Sequence, residues 1–122
     1  MRFFKCKKCG KIIGMVNNKP CPTMCCGEAM EEMIPGTSDG AAEKHVPCVT
    51  LDGNKVIVNV GSVDHPMLEE HFIEWVALET AKGGQRKPMK PGDAPRVSFA
   101  LTEDDEFVAA YAYCNLHGLW KA

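Results

Sequence analysis

The chain has 122 residues, 45% hydrophobic and 25% charged, with a formal net charge of −2; that suits one ordinary domain, or one small domain beside a very small one. The negative balance argues against a nucleic-acid protein, which would show a basic face. No stretch approaches the roughly 20 apolar residues of a membrane span.

Met1-Arg2-Phe3-Phe4-Lys5-Cys6 has no apolar signal-peptide core, so a cytoplasmic protein is expected. Seven cysteines in a reducing compartment point to metal or redox chemistry more than to disulfides. Cys6-Lys-Lys-Cys9-Gly10 reads as a metal knuckle, in which two thiolates reach one ion from a tight turn. An apolar run Ile12–Val16 and a turn at Asn17-Asn18-Lys19-Pro20 follow, and Cys25-Cys26-Gly27 closes the unit. Adjacent cysteines replace the second Cys-x-x-Cys of a common zinc ribbon, so a distorted tetrahedron is expected. Structural zinc is the ordinary reading of such a clip, and a four-thiolate site accepts iron as well. A segment this small buries little, so the metal is expected to supply its fold. Cys21 stands outside the four-ligand set and reads as a partly buried spare thiol.

The turn-rich stretch Pro35–Gly40 is read as a linker, dividing the chain into 1–36 and 37–122. Beyond it, Val46–Leu51 begins the strands and Asp52-Gly53 signals a hairpin turn. Val56, Val58 and Val60 alternate on one face. Strands are also predicted over His71–Leu78, Val97–Leu101 and Phe107–Tyr113, with breaks at Gly83-Gly84 and Lys90-Pro91-Gly92; Met67-Leu68-Glu69-Glu70 is compatible with a helical turn. The fold class is therefore all-β: a small metal-clipped N-terminal β domain plus an antiparallel β-sandwich.

The four histidines, His45, His65, His71 and His117, all fall at predicted strand edges or turns, the rims where a sandwich carries function. Cys114 lies three residues before His117 on a turn ending in Gly118. If all five converge, four nitrogens and one sulfur exceed the usual four ligands of structural zinc and suit iron or copper. A blue-copper site adds a weak axial Met beyond the second His, and only Gly-Leu-Trp-Lys-Ala follows His117; copper is the runner-up. Four imidazoles with a thiolate on the axis would leave one octahedral position open, opposite an electron-pushing sulfur. Glu43 and Lys44, just before His45, would attend it: Lys44 to attract an anion and organise water, Glu43 to offer the oxidised metal a hard oxygen.

Glu43-Lys44-His45-Val46-Pro47, Gly61-Ser62-Val63-Asp64-His65-Pro66-Met67 with His71 and Trp75, and Cys114-Asn-Leu-His117-Gly-Leu-Trp120-Lys121 together resemble the desulfoferrodoxin-type superoxide reductases. Cys6, Cys9, Cys25 and Cys26 resemble that family's desulforedoxin-like N-terminal domain, and the similarity covers essentially the whole chain. The resemblance implies a seven-stranded immunoglobulin-like domain whose catalytic iron has His45, His65, His71 and His117 as equatorial ligands and Cys114 as the axial one. It implies a second iron at the four cysteines, replaceable by zinc, and a homodimer. It also implies reduction of superoxide to hydrogen peroxide with electrons from a rubredoxin-like donor. The family's lysine matching Lys44 promotes superoxide attraction and protonation; its glutamate matching Glu43 binds the oxidised iron. Some relatives lack part of the N-terminal cysteine set, all of which is present here, and Cys21 and Cys48 have no counterpart in the family pattern.

Two other functions compete. An electron carrier, with the clip as relay and blue copper in the sandwich, leaves five donors plus Glu43-Lys44 unexplained. A binding module, a zinc clip fused to an adhesion-like sandwich, leaves all four histidines unexplained.

Overall fold

The computed structural model describes all residues, Met1–Ala122. They form two compact units, Met1–Ile34 and Pro35–Ala122, and no helix is long and apolar enough to cross a membrane.

The first unit contains β1 (Phe3–Lys5), β2 (Ile12–Gly14), β3 (Met24–Cys25), β4 (Glu28–Ala29) and β5 (Glu31–Glu32). β2, β1 and β5 make a three-stranded antiparallel sheet in that order, and β3 pairs with β4. Of its hydrophobic residues only Phe3, Cys6 and Met30 are buried. So small a core cannot offset the chain entropy of ordering 34 residues. Exposed pairs such as Arg2–Glu32, at 2.8 Å, add little.

The second unit opens with a single helical turn, α1 (Ala42–His45), followed by seven strands: β6 (Pro47–Asp52), β7 (Lys55–Val60), β8 (Ile73–Thr80), β9 (Gly83–Pro88), β10 (Arg96–Ala100), β11 (Phe107–Cys114) and β12 (Gly118–Lys121). They form two antiparallel sheets, β10-β7-β6 and β12-β11-β8-β9, an immunoglobulin-like sandwich. Val56, Val58 and Val60 from one sheet bury against Ile73, Val76, Leu78, Ala110, Ala112 and Cys114 from the other, with Phe99 completing the core. The period-2 alternation of β7 and β11 produces this layer.

Several details differ from the sequence reading. The β6–β7 turn is Gly53-Asn54, because Asp52 already pairs with Lys55. β8 begins at Ile73, leaving His71 on the preceding turn. Met67–Glu70 is not helical: Leu68 and His71 exchange backbone hydrogen bonds at 3.0 and 3.1 Å, a tight turn closed by a bridge. The polar stretch Gly83–Pro88 forms the edge strand β9, held by pairing with β8 rather than by its own apolar content. Cys21 is exposed rather than partly buried, as is Cys48.

Candidate metal centres

The four-cysteine group is assembled by two local turns. The first returns Gly10 N–H to the Cys6 carbonyl at 3.0 Å and Cys6 N–H to the Lys11 carbonyl at 2.9 Å. In the second, Cys25 pairs with Glu28, leaving Cys26-Gly27 as a two-residue turn with φ of 51° and 81°. Positive φ at both positions is the type I′ geometry that suits a hairpin. It also solves the problem of adjacent cysteines: Cys25 ends a strand while Cys26 turns back from the left-handed region. The Cys9–Cys25 and Cys25–Cys26 sulfurs are 3.7 and 3.9 Å apart, close to the roughly 3.8 Å edge of a tetrahedron with metal–sulfur bonds of about 2.3 Å.

Backbone N–H groups of Cys9 and Lys8, with help from neighbouring thiols, bring Cys6 down to about 6. Hydrogen bonds with Cys9, Cys25 and Cys6 push Cys26 up to about 12. One thiolate thus forms readily while the crowded sulfurs resist a second negative charge, so a cation is what would release the remaining protons.

The second group collects His45, His65, His71, Cys114 and His117 from four separated places in the second unit. His45 ends α1, His65 follows β7, His71 precedes β8, and Cys114 and His117 flank the turn from β11 to β12. Cys114 continues the inward row of Ala110 and Ala112 and is fully buried. Opposite it, the β8–β11 register shifts between Tyr113 and Cys114, so that Cys114 faces Ile73 while Tyr113 faces Trp75. The extra residue, Glu74, is a bulge of the kind that re-aims a strand beside a site.

The four imidazoles stand edge to face around a closed ring. Successive centroids are 4.6 Å (His45–His65), 4.6 Å (His65–His71), 5.0 Å (His71–His117) and 4.8 Å (His117–His45) apart. The His45–His71 diagonal is 6.4 Å, so the corners at His65 and His117 are close to right angles.

The tautomers follow from the surroundings. His45 donates from Nδ1 to the Ala41 carbonyl at 2.8 Å, and His65 donates from Nδ1 to the Pro66 carbonyl at 2.6 Å, since a carbonyl only accepts. Their Nε2 lone pairs therefore face each other at 3.1 Å, and His117 Nδ1 lies 3.1 Å from His45 Nε2. His71 Nε2 is buried without a hydrogen-bond partner. Lone pairs packed this way repel unless a cation sits among them. The spacing matches the roughly 3.0 Å between neighbouring nitrogens bound at right angles with bonds near 2.1 Å. The donor set fits a metal ion.

Burial lowers His65 to about 4 and also lowers His45 and His71, keeping the rings neutral and their lone pairs available. Burial raises Cys114, while the backbone N–H groups of His117 and Leu116 oppose that by donating to its sulfur. Glu43 and Lys44 are exposed on α1. The Lys44 charge is near enough to disfavour protonation of both His45 and His71.

The supports are less visible in sequence. Trp120 stacks on His45 at 4.9 Å and donates from its indole N–H to the His117 carbonyl at 3.0 Å, bracing one ring and the backbone of another ligand. The Glu43 carbonyl accepts from Val63 N–H at 2.8 Å and from the Ser62 hydroxyl at 3.2 Å. Gly61 makes that approach possible: a Cβ there would lie 2.7 Å from the Glu43 oxygen and 2.8 Å from the Val46 oxygen. The motif Gly61-Ser62-Val63 could have signalled a close backbone approach, but nothing in it names α1 as the neighbour.

A square of imidazoles with a buried thiol in an antiparallel sandwich, and a four-thiol clip in a separate small unit, define a class of small two-centre metalloproteins. The chain belongs to the desulfoferrodoxin family, whose model matches residues 37–122. It is 48% identical over 119 residues to the desulfoferrodoxin of Nitratidesulfovibrio vulgaris, covering 98% of this chain and 93% of that one. It is 45% identical over 122 residues to a desulfoferrodoxin homolog of Archaeoglobus fulgidus, covering 100% of this chain and 96% of the relative. Among solved structures, the superoxide reductase of Treponema pallidum matches with a TM-score of 0.83 and 43% identity over 98% of each chain.

Proposed function

We propose that this protein is a superoxide reductase, converting superoxide to hydrogen peroxide at an iron held by His45, His65, His71, His117 and Cys114. One observation carries the reading: four imidazoles and one thiol surround a point at which the buried His71 Nε2 has no other partner. Superoxide takes up one electron and two protons to give hydrogen peroxide; a ferrous ion held by these five residues would supply the electron, and a rubredoxin-like donor would restore it. Two backbone N–H groups steady the Cys114 thiolate, which would donate electron density to an ion held there.

Lys44 supplies a positive charge beside the centre in a molecule of net charge −2, drawing in the anion and ordering water as the proton source. Glu43 presents a carboxylate oxygen, a hard donor suited to the oxidised metal. His71 and His117 are less buried than His45 and His65, which puts the access on their side. Cys6, Cys9, Cys25 and Cys26 hold a second iron, for which zinc is a workable replacement. Residues 1–36 and 37–122 act as the clip and the reductase domain of a cytoplasmic homodimer.

The test is stoichiometric. Iron-loaded, reduced protein pulsed with superoxide is expected to yield one peroxide per superoxide with no matching oxygen, consuming external reductant. Oxygen released in proportion to peroxide, as a dismutase gives, or no reaction, overturns the proposal.

A further inference from the structure

Two of the four histidines have their rings steered by a backbone carbonyl on Nδ1, His45 by Ala41 and His65 by Pro66. His117 is fixed through its own carbonyl by the Trp120 indole. His71 has none of these. It is only partly buried, its Nε2 is unpartnered, and it sits on the turn before β8 rather than in the strand. Its ring meets those of His65 and His117 edge to face, and what holds it there is the placement of its backbone.

That backbone is gripped on both sides by one side chain. Asn115 Oδ1 accepts from Phe72 N–H at 2.9 Å, and Asn115 Nδ2 donates to the Glu70 carbonyl at 3.0 Å. The main chain adds a third bond, Asn115 N–H to the Phe72 carbonyl at 3.2 Å. The carboxamide thus straddles His71, holding the residue before it and the residue after it. Asn115 itself lies between Cys114 and His117. A single planar amide, using one donor and one acceptor at opposite ends, locks the segment bearing His71 to the turn bearing the other two donors.

We infer that Asn115 is a positioning residue of the histidine centre, acting through His71 by fixing the distance between the 70–72 segment and the Cys114–His117 turn. Asp would keep an acceptor for Phe72 N–H but set a carboxylate against the Glu70 carbonyl, and Ala would remove both bonds. This role rests on the proposed metal centre, but it concerns the assembly of the donor set and not the reaction with superoxide.

The test is a double-mutant cycle between Asn115→Ala and His71→Ala, read as metal affinity in the full-length protein. Cobalt(II) is the probe, titrated against a competing chelator, because a four-thiolate and a histidine-rich cobalt site have separate visible spectra. Asn115→Ala is expected to weaken binding at the histidine centre about 10- to 100-fold, the usual range for groups that orient metal ligands. In the His71→Ala background it should cost less than about threefold, since coupled residues do not add. Asn115→Asp, which turns a carboxylate oxygen on the Glu70 carbonyl, should also weaken binding, and it carries the cycle if the Ala variant does not fold. Equal losses in both backgrounds overturn the inference, as does an unchanged affinity. If the native protein binds no cobalt at the histidine centre, the metal site and this role fall together. If it binds cobalt and reduces superoxide while the cycle is additive, only the role of Asn115 falls.

Discussion

The two centres solve opposite problems. In the first unit every donor comes from one of two tight turns, and the surrounding core amounts to Phe3, Cys6 and Met30. In the second, the donors come from positions as distant as His45 and His117, delivered to one point by strands that bury their own core of valines, alanines, Leu78 and Phe99. In the first case a bound ion would have to hold the fold together; in the second the fold already holds the candidate ligands together. Thiols carried on two short turns with so little core around them need the ion to organise them, whereas His45 and His65, both buried, are already aimed by backbone carbonyls.

Metal removal breaks this comparison most sharply. Stripped by a chelator, residues 1–34 are expected to lose their fold and residues 35–122 to keep theirs. Amide exchange reads the difference: protection at Phe4 and Lys5 should vanish while Val58 and Ala112 stay protected. Protection surviving in both units would mean the first does not depend on its ion. Next comes Cys26→Ser, which removes one sulfur from the I′ turn and should abolish metal binding at the clip. The pre-reduced histidine centre should still reduce superoxide at an unchanged rate; loss of that activity would make the clip an obligatory relay.

Acid sharpens the contrast by a smaller amount. His65 is held at about 4 against an ordinary 6.5, so on acidification the unfolded chain takes up the proton first. Stability of the metal-free second unit is therefore complete above pH 6.5 and drains away as pH falls toward 4, by on the order of 3 kcal/mol from His65. His45 and His71 shift in the same direction and add to the loss. Urea titrations at neutral and acid pH measure it, and a constant midpoint would mean the rings are not held neutral. The smallest effect is expected from Lys44→Ala, which should slow reaction with superoxide by about three- to tenfold and flatten its ionic-strength dependence. An unchanged rate and salt slope would remove Lys44 from the proposed mechanism.

Most of the sandwich is legible because β7 alternates plainly and β11 is a continuous apolar run of strand length. β9 is not: Gly83–Pro88 is polar and glycine-rich, and only its partner β8 makes it a strand. The start of β8 was misplaced because Phe72 and Ile73 look alike in sequence, whereas the bulge at Glu74 and the Leu68–His71 turn set where pairing begins. For the centres, the side chains that gather in the two groups are all ones the sequence offers as candidate ligands. Their supports are not legible there. Trp120 and Asn115 stood inside the Cys114–Trp120 motif without a visible task, because each acts on a segment far away in sequence.

What the sequence by itself determined is local: the Cys6–Gly10 knuckle, the Cys25-Cys26-Gly27 turn, the valine alternation of β7, and a full inventory of donors. Turn geometry and pleat periodicity extend over a few residues, so a few residues are enough to state them. Tertiary structure alone decided that His45, His65, His71 and His117 form a square, that three of them are lowered by burial, and that one carboxamide spans His71. Convergence and desolvation depend on which surfaces pack together, and the core assembled from both sheets is what brings those distant turns to one end of the sandwich.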